Sequence, residues 1–131
     1  MQKKSNSNAL LIKSAFSALK NSRSPHSKFK VGAALLSSTG KIYIGTNIEF
    51  DAFTLTVCAE RSALFNAVSH GEKNFTRIAI ATNSDKFKFP CGLCRQALIE
   101  FNPELEIILL NKNKKYKKII LKELLPDFFK L

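Results

Sequence analysis

All three cysteines of this chain fall in two short motifs. These are Cys58-Ala59-Glu60 and, after residues 61–89, Pro90-Cys91-Gly92-Leu93-Cys94. An odd cysteine count argues against a disulfide framework. In a reducing compartment it leaves metal ligation, catalysis or plain buried thiols. Cys91 and Cys94 are three apart on a predicted helix, so their thiols share a face. Both motifs open predicted helices, where free backbone N–H groups and the positive dipole end favour thiolate over thiol. Zinc is the natural ion for such sulfur donors. A closed structural site takes four protein ligands, and the fourth would have to be His26 or His70. With three ligands, one position stays open for water, and the site is catalytic. Three thiolates also make zinc a poorer Lewis acid, so their charge must be offset. The helix dipoles contribute, and Arg61 is the candidate side chain to stand behind a cysteine sulfur. Its alternative is an exposed helix arginine. Glu60, two residues after Cys58, is placed to carry a proton; its alternative is a solvated carboxylate in a first helical turn.

The chain has 131 residues, enough for one domain spanning residues 1–131 and too few for two ordinary ones. No apolar run approaches the roughly 18 residues of a membrane span. The start, Met1-Gln2-Lys3-Lys4, is basic, but Lys13 cuts the apolar run Ala9 to Ile12, which leaves no secretory core and points to the cytoplasm. The net charge of +11 invites a nucleic-acid partner. Against it, only four of the 21 basic residues are arginines, and the lysines of Lys112 to Lys118 read as a solvated hairpin loop. No nucleic acid and no membrane are therefore expected as partners.

Hydrophobic spacing predicts helices over Asn8–Lys20, Ala59–His70 and Cys91–Phe101. Their inward stripes are Leu11, Ala15, Ala18 and Leu19; then Leu64, Ala67 and Val68; then Leu93, Ala97, Leu98 and Phe101. Strands are expected over Phe29–Ser37, Lys41–Glu49, Arg77–Thr82, Leu105–Leu110 and Tyr116–Leu121, with a turn or short helix from Glu123 to Pro126. Helices interleaved with five strands imply a layered α/β domain with a mixed sheet. Asn47 and Glu49, two apart on a predicted strand, would point to one face. The alternative for them is the polar side of an edge strand.

The paired motifs resemble the zinc signature of the cytidine deaminase family. The resemblance extends to Ser24-Pro25-His26-Ser27-Lys28-Phe29-Lys30-Val31-Gly32-Ala33-Ala34-Leu35, to Gly45-Thr46-Asn47-Ile48-Glu49 and to Glu123-Leu124-Leu125-Pro126, in the family's order. It implies a three-layer α/β/α sandwich on a five-stranded mixed sheet. It also implies one Zn2+ per chain on Cys58, Cys91 and Cys94, with Glu60 as the catalytic proton carrier and Arg61 behind the ligands. The activity implied is hydrolytic deamination of cytidine and deoxycytidine at C4, in pyrimidine salvage. Substrate contacts would come from Phe29 on the ring, Asn47 and Glu49 on the sugar hydroxyls, and Ala59. The resemblance further implies a homotetramer with shared active sites, in which Phe53 and Phe129 complete a neighbour's pocket. Three positions depart from the family pattern: Phe53 for Tyr, Phe50 for Asn and Thr56 for Gly. Rival readings are a deaminase of an unusual cytosine nucleoside such as blasticidin S, and an RNA-editing deaminase. The latter more often carries His where this chain has Cys58.

Overall fold

The computed structural model describes residues 2–131, with side chains from residue 8 onward, so the side chains of the basic stretch Met1 to Lys4 lie outside the described residues. Helix α1 (Gln2–Leu19) is followed by strands β1 (Val31–Ser37) and β2 (Ile42–Thr46), a 3-10 turn (Phe53–Leu55) and helix α2 (Ala59–Ser69). Then come β3 (Phe75–Thr82), α3 (Gly92–Ile99), β4 (Glu106–Leu110), β5 (Tyr116–Ile120) and a second 3-10 turn (Leu121–Leu124). The strands form one sheet in the order β2-β1-β3-β4-β5. Only β3 and β4 run parallel; the other neighbours are antiparallel. The mixed sheet is as expected.

The central strands are near-continuous apolar runs because both sheet faces are covered. Along β1, Ala33 and Leu35 face a core shared with α2 and α3, while Ala34 and Leu36 face α1. Along β3, Ile78 and Ile80 join the first core and Ala79 and Ala81 the second; β4 divides the same way. Leu11 and Ala15 bury the inner face of α1 against this second core. The result is the expected α/β/α sandwich. Among the described residues no helix is long and apolar enough to cross a membrane.

Two glycines set how closely the helices approach. A Cβ on Gly32 would lie 2.1 Å from the Ala15 carbonyl oxygen of α1, and one on Gly45 would lie 2.2 Å from the Ala63 nitrogen of α2. Adjacent strands β1 and β2 thus receive a helix backbone from opposite faces, each at a point where no side chain fits.

Several expectations need correcting. Strand β2 ends at Thr46, so Asn47 and Glu49 lie beyond it. The ladder is only half continued there: the Asn47 N–H reaches the Val31 carbonyl at 3.3 Å, but the Asn47 carbonyl accepts from the Arg23 N–H and the Val31 N–H turns to the Asn47 side chain at 3.0 Å. Val68, Leu93 and Phe101 are exposed rather than inward-facing. The helical stripe is narrower than the sequence suggests, because Ala63, Leu64 and Ala67 on α2 and Leu98 and Ile99 on α3 already fill the contact with the sheet. Helix α3 also ends at Ile99, short of Phe101.

The close approach at Gly45 yields a prediction. Gly45→Ala should lower stability by about 2–3 kcal/mol in urea denaturation, since backbone and not a flexible tip must yield. Gly92→Ala, with nothing within 4 Å of the added Cβ, should be neutral or stabilising by up to about 1 kcal/mol.

Candidate metal centre and active site

Cys58 is the N-cap of α2 and Cys91 the N-cap of α3, both in extended backbone conformation. Neither N-terminus has a side-chain cap, so both helices aim open N–H groups at their first turns. Cys94 follows one turn into α3 and is fully buried. The three sulfurs converge: Cys58 to Cys91 and Cys91 to Cys94 are each 3.5 Å apart, and all three lie within 4.8 Å of one another. A tetrahedral zinc with Zn–S bonds of about 2.3 Å sets its sulfurs about 3.8 Å apart. The donor set therefore fits zinc in both chemistry and spacing.

The electrostatics agree. The Cys58 thiol is pulled down to about 5, chiefly by the neighbouring Cys94 thiol and further by Arg61 and Cys91. Cys94 is pushed up, first by its bond to Cys58 and then by burial. The cluster thus holds negative charge on one sulfur and shares a proton with the next, and a divalent cation would take that proton's place. Arg61 Nη2 donates to Cys58 Sγ at 3.6 Å. It is half-buried behind the sulfurs, not an exposed helix arginine. Neither histidine joins the group. Among the described residues the metal-competent cluster is Cys58, Cys91 and Cys94. His26 Nε2 faces Asp51 at 3.1 Å and His70 Nδ1 faces the Asn66 carbonyl at 2.8 Å. Three protein donors leave one position over.

Glu60 sits in the first turn of α2 and is only 5 % exposed. Burial pushes its carboxyl up to about 7, so proton uptake and release are balanced near neutrality. It lines a cavity of about 280 Å³ together with Cys58, Cys91, Phe29, Asn47 and Glu49. Ala59 lines it too, at the start of α2.

The sugar-clamp candidates are anchored before any ligand arrives. Asn47 is 7 % exposed. Its Oδ1 accepts from Val31 N–H and from Ser22 Oγ, and its Nδ2 donates to the Phe29 carbonyl at 2.7 Å. Glu49 accepts from the backbone N–H groups of His26 at 3.0 Å and Ser27 at 3.1 Å, and from the Ser27 hydroxyl. The Ser27 hydroxyl bond is the main cause of its lowered pKa. Although they lie beyond the strand, both residues reach the cavity. Phe53 and Phe129 do not; they are 72 % and 67 % exposed. Phe53 instead makes an edge contact with His26 at 5.3 Å.

Sequence reasoning missed Ser27, Thr56, Lys88 and Phe89 as lining residues. Ser27 stands inside the Ser24–Leu35 motif, and its place two residues before Phe29 was the available signal. Two of the family departures meet here, since the Phe50 N–H donates to Thr56 Oγ1 at 3.1 Å. A glycine at position 56 would offer no such acceptor.

Comparison with known proteins agrees with this geometry. Residues 5–110 match the model of the cytidine and deoxycytidylate deaminase zinc-binding region. A probable cytidine deaminase of Dictyostelium discoideum is 43% identical over 106 residues, covering 80% of this chain and 71% of its own. A cytidine deaminase of Halalkalibacterium halodurans is 40% identical over 121 residues, 92% of each chain. The crystal structure of a cytidine deaminase from Burkholderia pseudomallei superposes with a TM-score of 0.89 at 40% identity, over 92% of this chain and 98% of that one. The chain belongs to the zinc-dependent cytidine and deoxycytidylate deaminase family.

The buried carboxyl has a measurable cost. Glu60 titrates near its ordinary 4.5 when unfolded and near 7 when folded, so the folded state holds the extra proton between these values. Its contribution is fully present below about pH 4.5 and is lost as pH rises through about 7. In the metal-free protein, wild type should lose on the order of 3 kcal/mol more than Glu60→Gln between about pH 5 and about pH 8. Urea denaturation in chelator at each pH reads this, and equal slopes would show that burial imposes no penalty on Glu60.

Proposed function

We propose that this chain forms one catalytic unit that hydrolyses cytidine and deoxycytidine to uridine and deoxyuridine with release of ammonia, as a cytoplasmic enzyme of pyrimidine salvage. The observation that carries this reading is the buried Glu60 carboxyl in the same cavity as Cys58 and Cys91, two members of a three-sulfur cluster that no fourth protein donor joins among the described residues.

Cys58, Cys91 and Cys94 would hold one Zn2+. Zinc there supplies a Lewis acid able to make water nucleophilic near neutral pH. Arg61 and the two helix N-termini offset the charge of the three thiolates. Glu60 takes the proton of the attacking water and passes it to N3 of the pyrimidine as C4 is attacked. It then takes the proton of the new C4 hydroxyl and delivers it to the amino group, so that the C4–N bond breaks, ammonia leaves and the C4 carbonyl forms. Phe29 packs on the ring, and the backbone at Ala59, in the uncapped first turn of α2, offers an N–H. Glu49 accepts from a sugar hydroxyl, and Asn47 has one amide hydrogen left for another.

The assembly is a homotetramer in this reading, with Phe53 and Phe129 reaching into neighbouring pockets. Support comes from their exposure here and from the apolar surface of Phe65, Val68 and Leu93 along α2 and α3, and of Phe101 just after α3, left uncovered.

The decisive assay follows loss of cytidine absorbance alongside zinc per chain, with deoxycytidine and blasticidin S as parallel substrates. We expect turnover of the two ordinary nucleosides at one zinc per chain. Glu60→Gln should keep its zinc and lose activity by about three orders of magnitude. Near-normal turnover in Glu60→Gln, or full activity without metal, would overturn the assignment. Sedimentation tests the assembly: a fully active monomer would refute shared sites.

A further inference from the structure

Arg95 follows the last zinc ligand, in the first turn of α3, and its cation sits at the wrong end of that helix for the dipole. Among the described residues it forms no salt bridge. Its planar head is used on two carbonyls instead. Nε donates to the Pro90 carbonyl at 2.7 Å and Nη1 to the Leu124 carbonyl at 2.9 Å. Pro90 immediately precedes the ligand Cys91. Leu124 ends the second 3-10 turn, whose neighbours Leu125 and Phe128 pack on the core. The adjacent Gln96 extends the same connection, its Nε2 donating to the Phe129 carbonyl at 3.2 Å.

We propose that Arg95 is a positioning residue that fastens the C-terminal segment to the ligand loop, so that one side chain fixes both the presentation of Cys91 and the placement of Phe129. The proposal rests on the deaminase reading above. A guanidinium suits the task because it donates in two directions from one rigid plane, which an ammonium cannot do. Donation from a cation also makes both bonds stronger than neutral ones. The two carbonyls belong to segments far apart in sequence, and no backbone hydrogen bond joins Pro90 to the segment after Leu121 among the described residues. Without the guanidinium, the Gln96–Phe129 bond and the packing of Leu125 and Phe128 would still hold the tail, but nothing polar would tie it to the Pro90 carbonyl beside Cys91.

The test uses zinc-loaded enzyme and three variants: Arg95→Met, which keeps the apolar stem; Arg95→Lys, which keeps charge but reaches one carbonyl at a time; and Phe129→Ala. Readouts are the rate of zinc transfer to a chromogenic chelator, kcat per bound zinc, and KM for cytidine. Arg95→Met should release zinc about tenfold faster, the low end for loss of a group supporting a ligand. It should also raise KM about tenfold, with kcat per bound zinc within about twofold. Phe129→Ala should raise KM while releasing zinc at the wild-type rate, and Arg95→Lys should fall between wild type and Arg95→Met on both readouts. Should Arg95→Met not fold, Arg95→Lys carries the test alone. Wild-type zinc release and KM in the Arg95 variants, with or without a drop in thermal stability, would overturn the proposal. A wild-type enzyme that holds zinc but leaves cytidine untouched would instead sink the deaminase reading.

Discussion

Bringing three sulfurs together is electrostatically unfavourable, and the architecture around the site is arranged to make it possible. Each sulfur that ionises opposes the next, as the divergent acidities of Cys58 and Cys94 show. The opposition is relieved by positive groups that the fold delivers to one point. These are the starts of α2 and α3, left without side-chain caps, and the Arg61 guanidinium. A cation held by the three sulfurs would complete the balance. The sheet order makes this geometry available. β3 lies centrally, its last residues Ile80 and Thr82 line the cavity, and α3 follows from that end of the sheet. Sites beyond the carboxyl ends of strands are a general outcome of such connections.

Packing supplies the precision that charge alone cannot. Gly45 lets α2 lie directly on β2, and the α2 residues nearest that contact, Ala59 and Ala63, bracket Glu60. The helix that carries Cys58 and Glu60 is thereby set by backbone-to-backbone contact. Gly32 does the same for α1 on the far face, so β1 and β2 are held from both sides. The position of Glu60 is therefore a property of the core as much as of the site.

Much of this was legible in the chain. Apolar, β-branched runs bounded by turn residues mark the strands, and the spacing of Cys91 and Cys94 marks two sulfurs on one face because it depends only on local helix geometry; Cys58 joins them through a contact 33 residues away in sequence. The zinc-binding family followed from the same motifs. What stayed hidden depends on partners distant in sequence. At the end of β2 the Val31 N–H turns to the Asn47 side chain, and no local pattern announces that. Val68, Leu93 and Phe101 read as inward because they are apolar, but helix periodicity cannot say whether the apolar face is wider than the surface available to cover it. Ser27 entered the cavity through its bond to Glu49, a contact between a loop and the residues after a strand. The bridge from Arg95 to Leu124 was invisible for the same reason.

Asn47 carries a consequence for how the cavity receives a guest. Three of its four hydrogen-bonding opportunities are already committed to the Val31 amide, the Ser22 hydroxyl and the Phe29 carbonyl. The amide can neither flip nor swing, and its remaining hydrogen has a fixed bearing. Rotational freedom that a looser side chain would surrender on docking has been given up here during folding. In the proposed sugar clamp, recognition at this corner would accordingly be stiff: a guest whose oxygen is misplaced would meet a donor that does not turn toward it.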